Sequence, residues 1–335
     1  MKQIVLKHAL DHRPVAADFA AIEASGPICP AGGVVAKVLY VSLDPYVGSR
    51  LRGRHMGEPS PEPMKGLIPG AIVGVVTESR SSAAKEGDFV HSMEGGWAEA
   101  VALAEGDFRI IDPKAAPLSA HAGILGMPGL TAWAGVTQLA KVTEGDVFLV
   151  DAAAGPVGGT AGQIAKIKGA RRVVGIAGGP EKCALVTGTY GFDACIDYKT
   201  DGWREALTEA LPDGCTAHFE NVGVSMLVEA LSRMSLYGRA VLCGLVDQYH
   251  ADAPPPQIPA GLVIGKRASL HGLVVYDFYP RWDEYVAEAS GWIADGRLTF
   301  VEDRAEGLDA APALFERLMA GQNKGKAVVA VAAEP

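Results

Sequence analysis

Along the first third of the chain, apolar and polar residues alternate in short runs that glycine and proline interrupt. Val34–Val41, Ala71–Thr77, Asp88–His91 and Ala98–Leu103 are such runs. A period of two sends alternate side chains to opposite faces of a strand, so this spacing predicts a compact antiparallel β-domain or barrel. Arg54–Pro69, with four prolines, reads as a long loop. From Gly123 the pattern changes. Apolar runs at Asp146–Val150, Arg172–Ala177, Ala194–Tyr198, Thr216–Asn221, Arg239–Leu245 and Ser269–Tyr276 alternate with helical stretches ending near Lys168, Tyr190, Leu211, Ser235 and Asp295. Continuous apolar strands between helices signal βαβ units and a parallel sheet. The tail from Arg297 reads as two short strands around a helix at Pro312–Met319.

At 335 residues the chain suits two domains rather than one. Its 30 basic and 39 acidic residues leave a formal charge of −9, which argues against nucleic acid or anionic membrane as a partner. Cys29, Cys183, Cys195, Cys215 and Cys243 are odd in number and form no CxxC pair, so reduced thiols are expected. With no leader-like start and no window near the ~20 apolar residues of a membrane span, a cytoplasmic location is expected.

The sharpest local feature is the turn Ala152-Ala-Ala-Gly155-Pro-Val-Gly158, an AxxGxxG pattern between a strand and a helix. Small residues there let the backbone approach a pyrophosphate, whose charge sits against the helix N-terminus. Pro156 suits the first helical position, where no N–H is needed. The next strand ends Gly175-Ile-Ala-Gly178-Gly179, without the acid that would accept the ribose hydroxyls of NAD, and Lys182 follows. A neutral pocket with an ammonium nearby tolerates a 2′-phosphate, so the reading favours NADPH.

Several segments together resemble the zinc-independent medium-chain dehydrogenase/reductases that include leukotriene B4 12-hydroxydehydrogenase/prostaglandin reductase, plant alkenal double-bond reductases and bacterial curcumin reductase. They are SLDPY (42–46), GGWAEA (95–100), GMPGLTAW (126–133), AAAGPVGGTAGQIAK (152–166), GIAGGPEKC (175–183), GFDACIDYK (191–199), FENVG (219–223), GRAVLCGLVDQY (238–249) and NKGK (323–326). The resemblance implies an α/β chain with a GroES-like substrate domain from residues 1–122 and 299–335, and a doubly wound Rossmann domain at 123–298 that binds NADPH. It implies cofactor contacts from Gly155, Pro156, Val157, Gly158 and Gly159 in the turn. Gly178, Lys182 and Tyr198 would lie near the 2′-phosphate, and Asn221 after the fourth strand. Cys243, Gly244, Leu245 and Tyr249 would follow the nicotinamide ribose. Met127, Thr131, Leu273, Val274 and Val275 would lie beside the nicotinamide, with Asn323 reaching in from the tail. The chain departs from the family where Gly48 replaces an arginine, and where Pro156 and Gly159 replace Ala and Ser.

Zinc alcohol dehydrogenases share this architecture, so the ligand set decides the chemistry. No cysteine lies between Cys29 and Cys183, and Gly70-Ala71-Ile72 stands where Gly-His-Glu would supply ligands. His55, His91 and His121 have no partner at ligand spacing, and no metal is expected. Without a Lewis acid, carbonyl reduction lacks its electrophile, whereas conjugate addition needs only donors for the developing enolate oxygen. The expected activity is NADPH-dependent reduction of the carbon–carbon double bond of α,β-unsaturated aldehydes and ketones. Tyr249 is expected to donate to the oxygen, with Tyr46 as cleft lining or second donor. Alternatives are an NADPH quinone oxidoreductase and a non-catalytic, crystallin-like NADPH-binding protein. The apolar run His271–Asp277 at the sheet edge suggests a homodimer, which a monomeric mass in solution would refute.

Overall fold

A computed structural model describes residues 1–247 and 257–335. The chain forms two compact units, Met1–Gly126 with Glu302–Pro335, and Met127–Val301.

In the first unit, β1 (Lys2–Leu6) pairs antiparallel with β2 (Phe19–Glu23). A seven-stranded sheet is built from β3 (Val34–Ser42), β4 (Ile72–Ser79), β5 (Phe89–Ser92), β6 (Ala100–Leu103), β7 (Arg109–Ile110) and the late strands β14 (Glu302–Glu306) and β15 (Lys326–Ala330). Its order is β14-β15-β3-β4-β5-β7, with β6 also paired to β3. Every residue of β3 except Lys37 is buried, which is why VVAKVLYVS is more apolar than a strict alternation. Trp97 is the centre of the core, stacked on Phe19 at 5.3 Å and meeting Phe315 edge-on at 5.3 Å. Phe315 belongs to α9 (Ala311–Met319), so the tail completes this unit. A short helix, α1 (Tyr46–Leu51), follows Pro45 where the alternation gave no sign of it. Pro45 has φ −61, already helical, and Val47 and Leu51, four residues apart, bury one face.

Two histidines of this unit are buried. Burial, with the Arg109 guanidinium acting the same way, pushes His91 down to about 3 and His121 down to about 4. Unfolded imidazoles titrate near 6.5. Between that pH and the folded values the unfolded chain binds protons that the folded chain refuses. Stability is therefore complete above about pH 6.5 and falls as pH drops below it. Thermal unfolding should show Tm declining from pH 7 to pH 5, with a shallower decline in His121→Gln. Equal slopes for the two proteins would contradict a neutral, buried His121.

The second unit contains a six-stranded parallel sheet in the order β10-β9-β8-β11-β12-β13. The strands are β8 (Val147–Val150), β9 (Arg172–Ala177), β10 (Ala194–Asp197), β11 (Cys215–Glu220), β12 (Met234–Leu242) and β13 (Ser269–Gly272). Helix α2 (Met127–Trp133) precedes them. Helices α3 (Pro156–Ile167), α4 (Pro180–Gly188), α5 (Trp203–Ala210) and α6 (Val224–Arg233) alternate with the strands, and α7 (Ala260–Lys266) and α8 (Trp282–Ala294) come later. All of β8 is buried, as expected for a central strand covered on both faces. The strand order reverses between β8 and β11, the switch point at which such sheets open a crevice.

Two expected boundaries move. The strand expected over Ser269–Tyr276 ends at Gly272, and Val275–Arg281 is a 3₁₀ helix. Among the described residues its only neighbour is β12, which stops pairing at Leu242 opposite Gly272 and leaves no described ladder to hold more strand. The strand expected from Arg239 begins at Met234, directly after α6, with an irregular register against β11 and Tyr237 at φ +64. Among the described residues no helix is long and apolar enough to cross a membrane.

Candidate functional site

Because the six strands run parallel, the loops after them leave from one edge of the sheet, and this gathers residues far apart in sequence. After β8 the chain turns through Ala152, at φ +45, into α3. Gly155 caps that helix at φ −84, ψ 170, without a side-chain hydrogen bond, and Pro156 opens it. The N–H groups of the first turn have no carbonyl within the helix, and the helix dipole adds partial positive charge there. A Cβ on Gly155 would meet only the Ala152 carbonyl oxygen, at 3.2 Å, so the outer side of the turn is open. Gly158 is different: its Cβ would lie 2.6 Å from the Ala152 oxygen and 2.8 Å from that of Asp151. A Cβ on Gly159 would lie 2.6 Å from the Tyr190 ring, so a larger residue there would have to displace it. The turn is thus bare on one side and tightly packed on the other, which suits a pyrophosphate.

At the end of β9 one acid is committed to the backbone. Asp197 Oδ1 accepts the N–H of Gly179 at 2.8 Å and that of Lys199 at 3.0 Å. A Cβ on Gly178 would collide with the Tyr198 ring and hydroxyl at 2.9 Å and with Lys199 Cε at 3.0 Å. Lys182 stands in the first turn of α4. Tyr198 and Lys199 therefore flank the glycine-lined end of β9, Lys182 follows in α4, and the one carboxylate placed there, Asp197, is held by backbone N–H groups, so these residues fit a 2′-phosphate. Lys199 was missed by sequence reasoning, although it directly follows Tyr198 in the DYK segment.

Beyond β11, the Asn221 N–H donates to Asp151 Oδ1 at 2.6 Å and its Nδ2 to the Asp151 carbonyl at 3.1 Å. Gly244 passes so near that its Cβ would lie 2.6 Å from the Asn221 carbonyl oxygen. Burial, reinforced by the charges of Asp151 and Glu220, pushes the Cys243 thiol up to about 12, which disfavours the nucleophilic thiolate. Leu245 and Val274 are exposed, whereas Leu273 is buried and its N–H donates to the Leu242 carbonyl at 2.9 Å. Val275 opens the 3₁₀ helix. In α2 the Thr131 hydroxyl donates to the Met127 carbonyl at 2.8 Å. Tyr249 lies outside the described residues.

Two expected contributors belong to the first unit. Asn323 is buried, and its Nδ2 donates to the Gly325 carbonyl at 2.9 Å. Tyr46, the first residue of α1, lies 5.2 Å from the His55 ring. The five cysteines are free thiols, as the spacing suggested. The fold nevertheless brings Cys183 and Cys195, twelve residues apart, to an Sγ–Sγ distance of 3.2 Å. Sequence reasoning also missed a fully buried group, Asp151, His218 and Glu220. Its signal was the His-Phe-Glu alternation at the end of β11, which puts both polar side chains on one face.

Comparison with known proteins follows this geometry. Residues 156–291 match the family model described as zinc-binding dehydrogenase, and residues 2–111 match the N-terminal domain of oxidoreductase. The chain is 37% identical over 314 residues to an NADPH-dependent curcumin reductase of Escherichia coli, covering 90% of this chain and 89% of the relative. It is 37% identical over 342 residues to a 2-alkenal reductase (NADP(+)-dependent) of Nicotiana tabacum, covering 99% and 98%. The crystal structure of CurA from Vibrio vulnificus in complex with NADPH superposes with a TM-score of 0.91 at 33% identity, covering all of both chains.

Proposed function

We propose a specific reaction for a chain that belongs to the medium-chain dehydrogenase/reductase family, in the branch of the curcumin and 2-alkenal reductases, and whose cofactor is NADPH. It is an oxidoreductase, and the reading proposed here is reduction of the carbon–carbon double bond of α,β-unsaturated aldehydes and ketones without zinc. The observation that carries this reading is that two relatives, alike over nine-tenths or more of this chain, are named for reducing curcumin and 2-alkenals with NADPH.

When bound, NADPH supplies the hydride that the β-carbon of the conjugated carbonyl receives. The chain's own task is to hold the substrate and to stabilise negative charge on the carbonyl oxygen, for which positioned hydrogen-bond donors suffice. Tyr249 is proposed as the donor through its phenolic O–H, with Tyr46 as a second. The uncapped start of α3 would hold the pyrophosphate, and Lys182, Tyr198 and Lys199 the 2′-phosphate.

The test is NADPH oxidation over a panel of 2-alkenals, enones and 1,4-benzoquinone. Turnover should be fastest on an alkenal or enone. A quinone faster than every enone would favour a quinone oxidoreductase, and binding without turnover on any member would favour a non-catalytic role. Tyr249→Phe should lower kcat by about tenfold or more and leave NADPH affinity nearly intact, since it removes a bond made mainly in the transition state. An unchanged kcat would take Tyr249 out of the mechanism.

A further inference from the structure

Two cysteines that take no part in the proposed reaction meet where α4 packs on the edge of the parallel sheet. Cys183, the fourth residue of α4, has its Sγ 3.2 Å from that of Cys195 in the edge strand β10, and the Cys195 thiol donates to it. An S–S bond is about 2.05 Å long, so the sulfurs stand roughly 1 Å from bonding. The fold builds this approach from both sides. Cys195 pairs in register with Gly175 of β9, and that ladder fixes it. A Cβ on Gly175 would lie 3.0 Å from Val186, which is one turn beyond Cys183 and fully buried, so the bare glycine lets α4 settle here. Both cysteines are partly exposed, whereas Cys29 and Cys215 are buried.

The two thiols are not equivalent. Burial raises both above the usual thiol range, and the hydrogen bond between them acts downward on Cys183 and upward on Cys195. Cys183 is therefore the sulfur that gives up its proton first and attacks, and Cys195 the one that resolves. The Asp197 carboxylate also acts upward on both, so the pair reacts slowly near neutral pH and faster as pH rises. Their neighbours in sequence are the residues assigned to the 2′-phosphate. Lys182 directly precedes Cys183 in α4. Beyond Cys195, Asp197 Oδ1 holds the N–H groups of Gly179 and Lys199, with Tyr198 between Asp197 and Lys199.

We propose that Cys183 and Cys195 are a modification site, joined by a hydroperoxide into one reversible disulfide that weakens the hold on the 2′-phosphate. The Cys183 sulfur attacks a peroxide oxygen, the O–O bond breaks, and the Cys183 proton leaves with the departing alcohol or water. Cys183 then carries an S–OH group. The Cys195 sulfur displaces that hydroxyl, which departs as water with the Cys195 proton, and the S–S bond forms. Two thiols lose two electrons and two protons, and the peroxide is reduced to an alcohol, or water, and one further water. Closure brings the sulfurs together by about 1 Å. The ladder to β9 keeps Cys195 in place, so the shift falls on the first turn of α4 and carries Lys182 with it. A charge-assisted hydrogen bond of about 2.8 Å weakens when its donor moves that far. The effect on affinity rests on the placement of the 2′-phosphate by Lys182, Tyr198 and Lys199; the disulfide itself does not.

The reduced full-length protein, treated with hydrogen peroxide and then denatured, should show its five free thiols fall to three, two being joined. Peptide mapping should find Cys183 linked to Cys195, dithiothreitol should restore all five, and closure should run faster at pH 9 than at pH 7. By isothermal titration the oxidised protein should bind NADPH about threefold or more weakly, with NADH affinity within about twofold of the reduced protein's. In Cys183→Ala, which lacks the attacking sulfur, peroxide should form no disulfide and leave NADPH affinity unchanged. An undiminished thiol count in the wild type, or a disulfide between any other pair, would overturn the proposal. So would a closed Cys183–Cys195 bond with unaltered NADPH affinity, provided that reduced Lys182→Ala binds NADPH more weakly than the wild type. If Lys182→Ala bound NADPH normally, the placement of the 2′-phosphate would fail instead, and the mapped disulfide would still support the modification site.

Discussion

Gly155→Val is expected to raise the KM for NADPH by about a hundredfold or more while leaving the protein folded. Gly155 has an ordinary φ of −84, so valine meets no backbone strain there. One atom, the Ala152 oxygen at 3.2 Å, lies near its Cβ position, so the interior is not disturbed. Replacing glycine at a helix cap by valine costs no more than about 1 kcal/mol. What the branched side chain does occupy is the open space over the α3 N-terminus, where the phosphates must come within hydrogen-bonding distance of the backbone. Isothermal titration with NADPH and thermal melting together decide the matter. Gly158→Val is the contrast: its Cβ would overlap two backbone oxygens at 2.6 and 2.8 Å, so it should lose stability as well as binding. If Gly155→Val bound NADPH as the wild type does, the α3 N-terminus would not be the phosphate site.

The contrast between these glycines shows what a sequence can and cannot convey. That the turn after β8 is small and lies between strand and helix was legible, because strand, glycine spacing and helix are all local patterns. The strands of the parallel sheet were likewise visible as buried runs such as VFLV and RVVGIA. Which glycine borders open space and which faces a ring was not legible, since Tyr190 reaches Gly159 from the segment after α4. The early end of β13 depended on where β12 stops, which is a property of the neighbour. The pocket of Asp151, His218 and Glu220 needed the pairing of β8 with β11, which joins segments about seventy residues apart. The Cys183 and Cys195 thiols, twelve residues apart in sequence, meet for the same kind of reason.

The other large effect lies in the first unit, at Lys326. The sequence offered it only as the last residue of the NKGK segment, yet the fold buries it at 3% exposure. Its ammonium donates to the carbonyls of Leu43 and Ala327 and lies 3.2 Å from Asp44 Oδ1. Asp44 is itself 4% exposed and accepts a hydrogen bond from the Ser42 hydroxyl. Burial lowers the pKa of this lysine, and the Asp44 charge beside it acts in the opposite direction. The pair clamps β15 to the corner after β3 from which α1, with Tyr46, sets out. Lys326→Met keeps the volume but leaves the buried Asp44 carboxylate without its cation and the Leu43 carbonyl without this donor, while the Ala327 carbonyl keeps the Leu43 N–H at 3.1 Å. Removing one partner of a buried pair costs about 3–5 kcal/mol. Denaturant unfolding should register that loss as a lower midpoint. Adding Asp44→Asn to Lys326→Met should restore part of it, because the stranded charge is then gone. A single variant within about 1 kcal/mol of the wild type would mean that water reaches Asp44 and that the clamp is an ordinary surface pair.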